Sequence, residues 1–557
     1  MRKRAVAAAT GLAAAALVLS ACSGSGGGSG GSGGTNDVFR IGSSSTIDSL
    51  NPFVAFNQLA YNTFFYNYPS MVQYNGNLDF APYMADSWTT SSDGKTWTFK
   101  IHPGAKWSDG QTLDAEDVAW TYSTLIKYQT GGAANWAGTI AYLKSVKATD
   151  PTTAVFTYAH PVANVLSQLA QIPILPEQFW GQYASGKDGA NLKTAKITPS
   201  TSDPMIAGGP FQVVGYTPKD VIQFKTNAGY FGTMPQIPGF AVKMYTNDDT
   251  MVTALKNGEI DFIDGLPAEQ VDSLKSAGFQ VTDVPGVEWH DLIINSSPHM
   301  NNHLELQNPK VREALEYAIN RQAFIDTIWS GAAQPGGAIV PPAADAPKTP
   351  WSDPSIQPLP NDPDKANQIL DGLGYKKGSD GIRVANGQKM SYELIIPSSL
   401  SKSNRVFDLF QQQFKAIGVD LTLKLLDDST AFSVMTAPNN TYANFQLAYW
   451  DWVPLIDPDF ILSVLTCAQY GNWSDTAYCN KQYDALYKKQ AGQIDPQARL
   501  QTVYQMQQMI HEARPYVVLA YNDALNATAS NWTGMEDSPQ GQFNNLSTDS
   551  LVMVHQQ

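Results

Sequence analysis

Basic residues are scarce in this 557-residue chain: 36 Lys and Arg stand against 50 Asp and Glu, a formal charge of −14. So acidic a body repels phosphate backbones, which excludes nucleic acid as an expected partner and opposes general adhesion to anionic lipid. Charged residues together reach only 15% while hydrophobic ones make up 43%, the balance of a globular chain and not of a disordered one. Cysteine is rarer still, three in all, too few for a disulfide-dense scaffold. One long apolar run is present, Ala5 to Leu19, and it is too short to span a bilayer comfortably as a permanent helix. No internal repeat is visible.

What is there begins with Met1-Arg2-Lys3-Arg4 ahead of that run, so residues 1–21 are expected to be an export signal. Losing it would leave a mature charge of about −17. Leu19-Ser20-Ala21-Cys22 resembles the lipobox of bacterial lipoproteins. The resemblance implies a diacylglycerol on Cys22, usually with an N-acyl chain, and two or more acyl chains give stable anchoring. The expected location is therefore the extracytoplasmic face of the cell membrane, with Cys22 as the membrane contact. Ser23 to Thr35 holds only Gly and Ser before its final Thr. With Cys22 it makes residues 22–36 a flexible tether with a reach of roughly 20 Å. Gly27, Ser29 and Gly31 fit a hydrolase pattern there, but that motif needs a strand before and a helix after. Cys467 and Cys479 remain, and an even pair in an exported chain points to a disulfide closing Ala468 to Tyr478.

From about residue 40 onward, helix and strand signals alternate. Asp114, Asn308-Pro309, Asp362-Pro363 and Asp495-Pro496 read as helix starts by cap and first-turn chemistry. The second start leads one apolar face through Val311, Leu315, Ala318 and Ile319 to Ile325 and Trp329. Strands are expected at 96–101, 211–216, 221–225, 240–245, 392–396, 419–425 and 445–450. Thr217-Pro218-Lys219-Asp220 supplies hairpin chemistry between two of them. Beyond residue 300 the alternation favours a doubly wound α/β lobe with a partly parallel sheet.

A series of phrases then falls in order. Ile47-Asp48-Ser49-Leu50-Asn51-Pro52 is followed by Pro82–Trp88, Asp93–Phe99, Pro103–Gly110 and Asp114–Val118. Gly208-Gly209-Pro210-Phe211, Lys256–Asp261, Asn308–Arg321, Ala416–Val419 and Ile456–Asp459 complete it. Over nearly the whole mature chain these resemble the extracellular solute-binding proteins of the dipeptide, oligopeptide and nickel class, solute-binding family 5. The resemblance implies an α/β, two-lobed periplasmic-binding-protein-like fold of cluster C, with an extra domain inserted in the N-terminal lobe. Mapped here, the first lobe takes 37–71, 209–289 and 521–557, the inserted domain 72–208, and the other lobe 290–520. It also implies no enzymatic step and no cofactor. A monomer would capture a small solute between its lobes by hinge closure and pass it to an ABC permease. Peptide or peptide-like solutes are the expected class, with oligosaccharide or metal chelate as alternatives, or a sensor lipoprotein without a transporter.

Ligands in doubly wound sheets sit beyond the carboxyl ends of strands, which singles out Tyr449–Pro454 after the expected strand at 445–450. Trp450 and Trp452 can stack on a flat group, and Asp451 can pair with an amine. Core burial is the alternative for Trp450, and a solvated loop acid the alternative for Asp451. In peptide-binding relatives an aspartate in this loop, a few residues before the Asp-Pro step, holds the ligand's amino terminus, whereas here Pro454 stands four residues before Pro458. Asp457 reads as a turn or cap residue. Further pocket candidates are Ser45, Thr46, Phe56, Trp289 and Asn295. Lys402 and Arg405 are possible carboxylate partners, though a helix-start surface role suits them as well. Gly181–Lys187 resembles a phosphate loop but has Asp188 where a hydroxyl is needed. His299 and His303 have the spacing of a metal pair on a helix, yet their segment reads as loop.

Overall fold

Side-chain caps set the helix starts in the computed structural model, which describes residues 38–400, 402–437 and 445–557. Asp114 accepts from the Glu116 amide at 2.9 Å, and Asp117 returns a bond to the Asp114 amide, closing a capping box ahead of Ala115–Tyr128. Asn308, Asp362 and Asp495 cap Pro309–Ala318, Pro363–Gly372 and Pro496–Ala513 by accepting from a first-turn amide, without the return bond. Cys22, its tether and the export signal lie outside the described residues. Cys467 and Cys479 are joined as a disulfide.

One mixed sheet runs through the molecule. Its order is Asp420–Leu426, Ser391–Pro397, Leu447–Trp452, Gln280–Ile294, Tyr516–Thr528, Phe262–Asp264, Phe39–Ser43, Gly239–Met244, Val221–Thr226, Phe211–Thr217. Ser391–Pro397 is parallel to both its neighbours, and Phe39–Ser43 is parallel to both of its own. The expected hairpin is present, with Lys219 in the left-handed region at φ 61°.

Alternation along these strands divides the core. Leu292, Ile294, Leu394, Ile396 and Leu447 face one layer, where helices Pro309–Ala318 and Ser403–Ala416 contribute Val311, Leu315, Phe410 and Phe414. Trp289, Ile293, Ile395 and Ala448 face the other, against Ile461, Val503 and Met506. A sheet covered on both faces is what the doubly wound reading anticipated. Between Ser43 and Phe211 the chain builds a separate four-stranded antiparallel sheet, Ala85–Thr90, Thr96–Ile101, Thr153–Tyr158 and Leu143–Asp150. Helix Ala115–Tyr128 packs on it, Tyr122 meeting Phe156 edge-on at 4.8 Å.

Two local expectations shift. The helix expected to run from 308 to 329 breaks at Ile319, and Asn320 caps a second helix, Arg321–Ile328, through the Ala323 amide. Arg321 explains the break: it is buried, bonds to Glu316 and to the Val518 and Leu359 carbonyls, and fixes the second helix in its own direction. The strand expected at 445–450 lies instead at Leu447–Trp452. Trp450, Asp451 and Trp452 are thus ladder residues and not a loop, because they pair with Asp291, His290 and Trp289.

Candidate functional site

The two longest strands, Gln280–Ile294 and Tyr516–Thr528, pair with each other along most of their length. Their ladder is interrupted between Pro285 and Trp289 and again between His290 and Asp291. A proline in a central strand removes a ladder donor and marks such an interruption. Gly286 follows it, where an added Cβ would stand 2.3 Å from the Asn522 carbonyl oxygen, so the two backbones approach as only glycine permits.

At this break the sheet opens into a cavity of about 470 Å³, a size typical of small-molecule sites. Gly286, Val287 and Glu288 form one wall and Asn522, Asp523 and Ala524 another. Asp264 ends the strand Phe262–Asp264 and Glu269 follows it, Trp329 comes from the end of Arg321–Ile328, and Gln540 and Phe543 come from the C-terminal loop. Val453, just past Leu447–Trp452, reaches the same space.

The electrostatics are one-sided. Asp264, Glu269, Glu288 and Asp523 line the cavity, and no lysine, arginine or histidine does among the described residues. Two of the four acids are compensated from outside. Lys402 Nζ lies 3.4 Å from Glu269, and His290 Nε2 lies 3.2 Å from Glu288. Burial pushes the Glu288 carboxyl up, but the hydrogen bond and charge of His290 outweigh it and hold it below its ordinary value. Burial likewise works against the His290 imidazolium, yet Glu288 raises it. Among the described residues the Asp264 side chain accepts only from the Ser43 hydroxyl, and burial lifts its pKa to about 7. Asp523 rises to about 6 through burial and the neighbouring Asp283. Asp523 Oδ1, Asn522 Oδ1 and Gln540 Oε1 are buried acceptors with no hydrogen bond. Buried acceptors are normally paired, and these three, all on lining residues, are not.

Beside it lies a buried acidic knot. The register sets Trp452 opposite Trp289, Asp451 opposite His290 and Trp450 opposite Asp291. Four of the residues singled out from sequence are therefore brought together. Trp452 donates Nε1–H to Asp475 at 3.0 Å, and Tyr516 donates its hydroxyl to the same carboxylate. Asp291 is fully buried without a hydrogen bond, and burial with the Asp475 and Asp451 charges holds its carboxyl well above the usual range. Asp451 is also raised by burial, His290 opposing. Trp289 is fully buried in the core, and Trp450 is half-buried.

Of the remaining candidates, Asn295 closes the far end of this strand pair, and Ser45, Thr46 and Phe56 lie elsewhere. Asn295 is wholly buried at the strand end, donating to the Phe445 carbonyl and accepting from the Ser297 amide. Ser45 is exposed, Thr46 accepts from Asn57 through its carbonyl, and Phe56 is 78% exposed. None of Trp450, Asp451, Trp452, Trp289, Asn295, Ser45, Thr46 and Phe56 lines the 470 Å³ cavity; Glu288 and Val453, each one residue away from a candidate, do. Lys402 reaches its rim through Glu269. Asp457 caps the turn before Asp459, as its position suggested, and also clasps Arg499 at 2.6 and 2.7 Å. His303 bonds to Glu305 and packs on Tyr392, and among the described residues no three His, Cys, Asp or Glu side chains gather as a metal site. Lys187–Thr194 is a kinked 3₁₀ segment with no strand before it.

A fold of this kind is shared with solved binding proteins over almost the whole chain. NikA from Brucella suis, solved with Fe(III)-EDTA, superposes with a TM-score of 0.78 at 20% identity, covering 93% of this chain and 100% of that one. The oligopeptide-binding protein AppA from Bacillus subtilis, solved with a nonapeptide, gives 0.76 at 22% identity, covering 94% and 99%. The architecture is thus the α/β cluster C periplasmic-binding-protein fold. In sequence, protein XP55 of Streptomyces lividans is 26% identical over 548 residues, 98% of this chain and 94% of its own. The glutathione-binding protein GsiB of Escherichia coli (strain K12) is 25% identical over 520 residues, 91% and 93%. The model of the bacterial extracellular solute-binding proteins, family 5, matches residues 79–472, and the chain belongs to that family. Its members bind solutes and do not transform them. No helix among the described residues is long and apolar enough to cross a membrane.

Proposed function

We propose that the protein is the solute-capturing component of an ABC importer and that the 470 Å³ cavity holds a solute with a protonated amine, most simply a peptide or peptide-like molecule. The observation that carries this is the lining: four carboxylates, of which Asp264 and Asp523 have no cationic partner, and no cationic side chain among the described residues. An ammonium group supplies three donors and a positive charge. The relatives agree in kind, since AppA was solved with a nonapeptide and GsiB is named for glutathione. In this reading Gln280–Ile294 and Tyr516–Thr528 are the strands that cross between the lobes. The first lobe, with 209–289, brings Asp264, Glu269 and Glu288 to the cavity, and the other, 290–520, brings Trp329 and Val453. Solute touching both favours the closed state by the difference in its affinity for the two states. Cys22 carries the lipid that keeps the protein beside its permease.

The test is thermal unfolding of the mature chain with alanyl peptides, their N-acetylated forms, maltotriose and nickel–histidine. A free peptide at 100 times its Kd adds about 2.7 kcal/mol of stability. The reading requires that gain to vanish on N-acetylation and to weaken in Asp523→Asn. Stabilisation by the saccharide alone, or equally by acetylated peptide, would overturn it. The lipid is tested separately, by the mass of the detergent-extracted chain against Cys22→Ser.

A further inference from the structure

Behind the cavity wall both ring nitrogens of His290 are engaged. Nε2 lies 3.2 Å from Glu288 Oε1, and Nδ1 lies 3.0 Å from the Tyr449 hydroxyl. Glu288 lines the cavity with its side chain 36% exposed, whereas that of His290 is 9% exposed. The imidazole also packs on Trp329, another lining residue, with ring centres 4.9 Å apart. His290 thus stands one hydrogen bond away from the solute space and supports two of its walls.

An ionised carboxylate only accepts, so the nitrogen facing Glu288 carries a proton whether the ring is charged or neutral. A hydroxyl both donates and accepts. Neutral His290 accepts from Tyr449 at Nδ1, and protonated His290 donates to the same oxygen. Both bonds survive the change, so the ring gains or loses a proton without turning. Burial works against the charged ring, and Glu288 and, from the paired strand, Asp451 outweigh it. Asp291 is next along the same strand, its carboxyl held well above the usual range by burial. Beyond Trp329, Lys402 is tied to the Ile328 carbonyl at 2.6 Å and to Glu269 at 3.4 Å. On Tyr516–Thr528 the residue opposite His290 is Ala520, which brings no charge.

We propose that His290 is a positioning residue for solute capture, one that holds the Glu288 carboxylate at the cavity wall and gives up its own proton when a cationic solute arrives there. The inference rests on the amine reading of the cavity. With His290 charged, Glu288 is already neutralised, and a solute ammonium gains little from it. With His290 neutral, the same carboxylate meets the solute as a full charge. The ammonium and the His290 proton compete for one countercharge, and the displaced proton passes by way of Glu288 to water. By linkage, the solute lowers the proton affinity of His290 by the factor through which protonation lowers affinity for the solute. A coupling of about tenfold corresponds to about one pH unit. Capture therefore strengthens as pH rises through the His290 titration, and acid favours release.

The test is NMR of the intact protein labelled with carbon-13 between the histidine ring nitrogens, titrated from pH 5.5 to pH 8.5 with and without saturating trialanine. Of seven histidines, the His290 signal is the one lost in His290→Gln, or the one displaced in Glu288→Gln if the first variant does not fold. Its midpoint should fall by about one pH unit when trialanine is bound. Calorimetry adds a second readout. His290→Gln keeps an N–H for Glu288 but cannot titrate, so its gain in trialanine affinity between pH 5.5 and pH 8 should be about tenfold smaller than the parent's. A merely structural His290 would weaken binding equally at both. A midpoint that trialanine leaves in place, or an undiminished gain in His290→Gln, overturns the inference while the amine reading stands. If N-acetyl-trialanine binds as tightly as trialanine, or neither binds, the amine reading falls and the inference with it.

Discussion

Burial holds Asp264 at a pKa of about 7 and Asp523 at about 6, against about 4 in an unfolded chain. An acid whose folded pKa is raised takes up protons on folding. Its contribution is fully present below the unfolded value and is lost as pH rises through the folded one. In the empty protein, stability therefore falls between pH 4 and 7, and Asp264→Asn flattens that fall; melting temperatures at pH 5 and pH 8 check it. The same ionisation makes the cavity attractive to an amine, so affinity for a cationic solute should run the other way and rise from pH 5 to pH 8. Calorimetry at the two pH values would expose parallel slopes, which the acid assignment does not allow. Asp457 and Arg499 are another case, a buried pair with both side chains under a tenth exposed. Asp457→Asn strands the guanidinium and should cost about 3 kcal/mol, read from urea midpoints. At this scale the sequence spoke partly. Tryptophans and an acid clustered in Trp450–Trp452 drew attention to a strand next to the cavity and not to its lining, because which carboxylate faces the cavity depends on a ladder break. Glu288 and Asp523 were visible only as polar residues interrupting apolar strands.

The interruption itself is an element-scale feature. Pro285-Gly286 inside an otherwise strand-like run is a recognised bulge signal, yet it does not reveal the strand it faces. Gly286→Ala would drive a methyl into the Asn522 carbonyl at 2.3 Å. Strain of that kind costs about 1–3 kcal/mol, and the two walls of the cavity would separate with it. The expected outcome is a lower melting temperature together with weaker solute binding. Gly372→Ala, in the last turn of Pro363–Gly372 where an added Cβ meets nothing within 4 Å, should leave both intact or raise stability slightly. Helix starts were readable because caps are local chemistry, satisfied within three residues. The break at Ile319 was not, since it answers to Arg321 reaching the Val518 carbonyl, a partner far away in sequence.

Across the whole molecule, Lys402 and Glu269 come from segments that the proposed division assigns to different lobes, and they meet at 3.4 Å. Partly exposed pairs contribute little to stability, so Glu269→Gln should hardly move the melting temperature. If the pair favours closure, the variant should weaken solute binding a few-fold and reduce its salt sensitivity; unchanged binding would remove the pair from the closing motion. Breaking the Cys467–Cys479 bridge by Cys467→Ser should cost about 2–3 kcal/mol by loop entropy, seen as a fall of a few degrees that reductant reproduces in the parent. The family was legible because its phrases are local and ordered along the chain. The joining of the sheet was not, because Gln280–Ile294 pairs with a strand more than two hundred residues later. That pairing has a consequence for how the protein comes into being. Tyr516–Thr528 lies between Gln280–Ile294 and Phe262–Asp264, so a chain emerging amino end first keeps open strand edges until nearly all of it has appeared. Such edges invite aggregation if they wait in a crowded compartment. The same delay keeps the polypeptide unfolded and threadable through a narrow pore, and lets the last strand lock the sheet only on the far side.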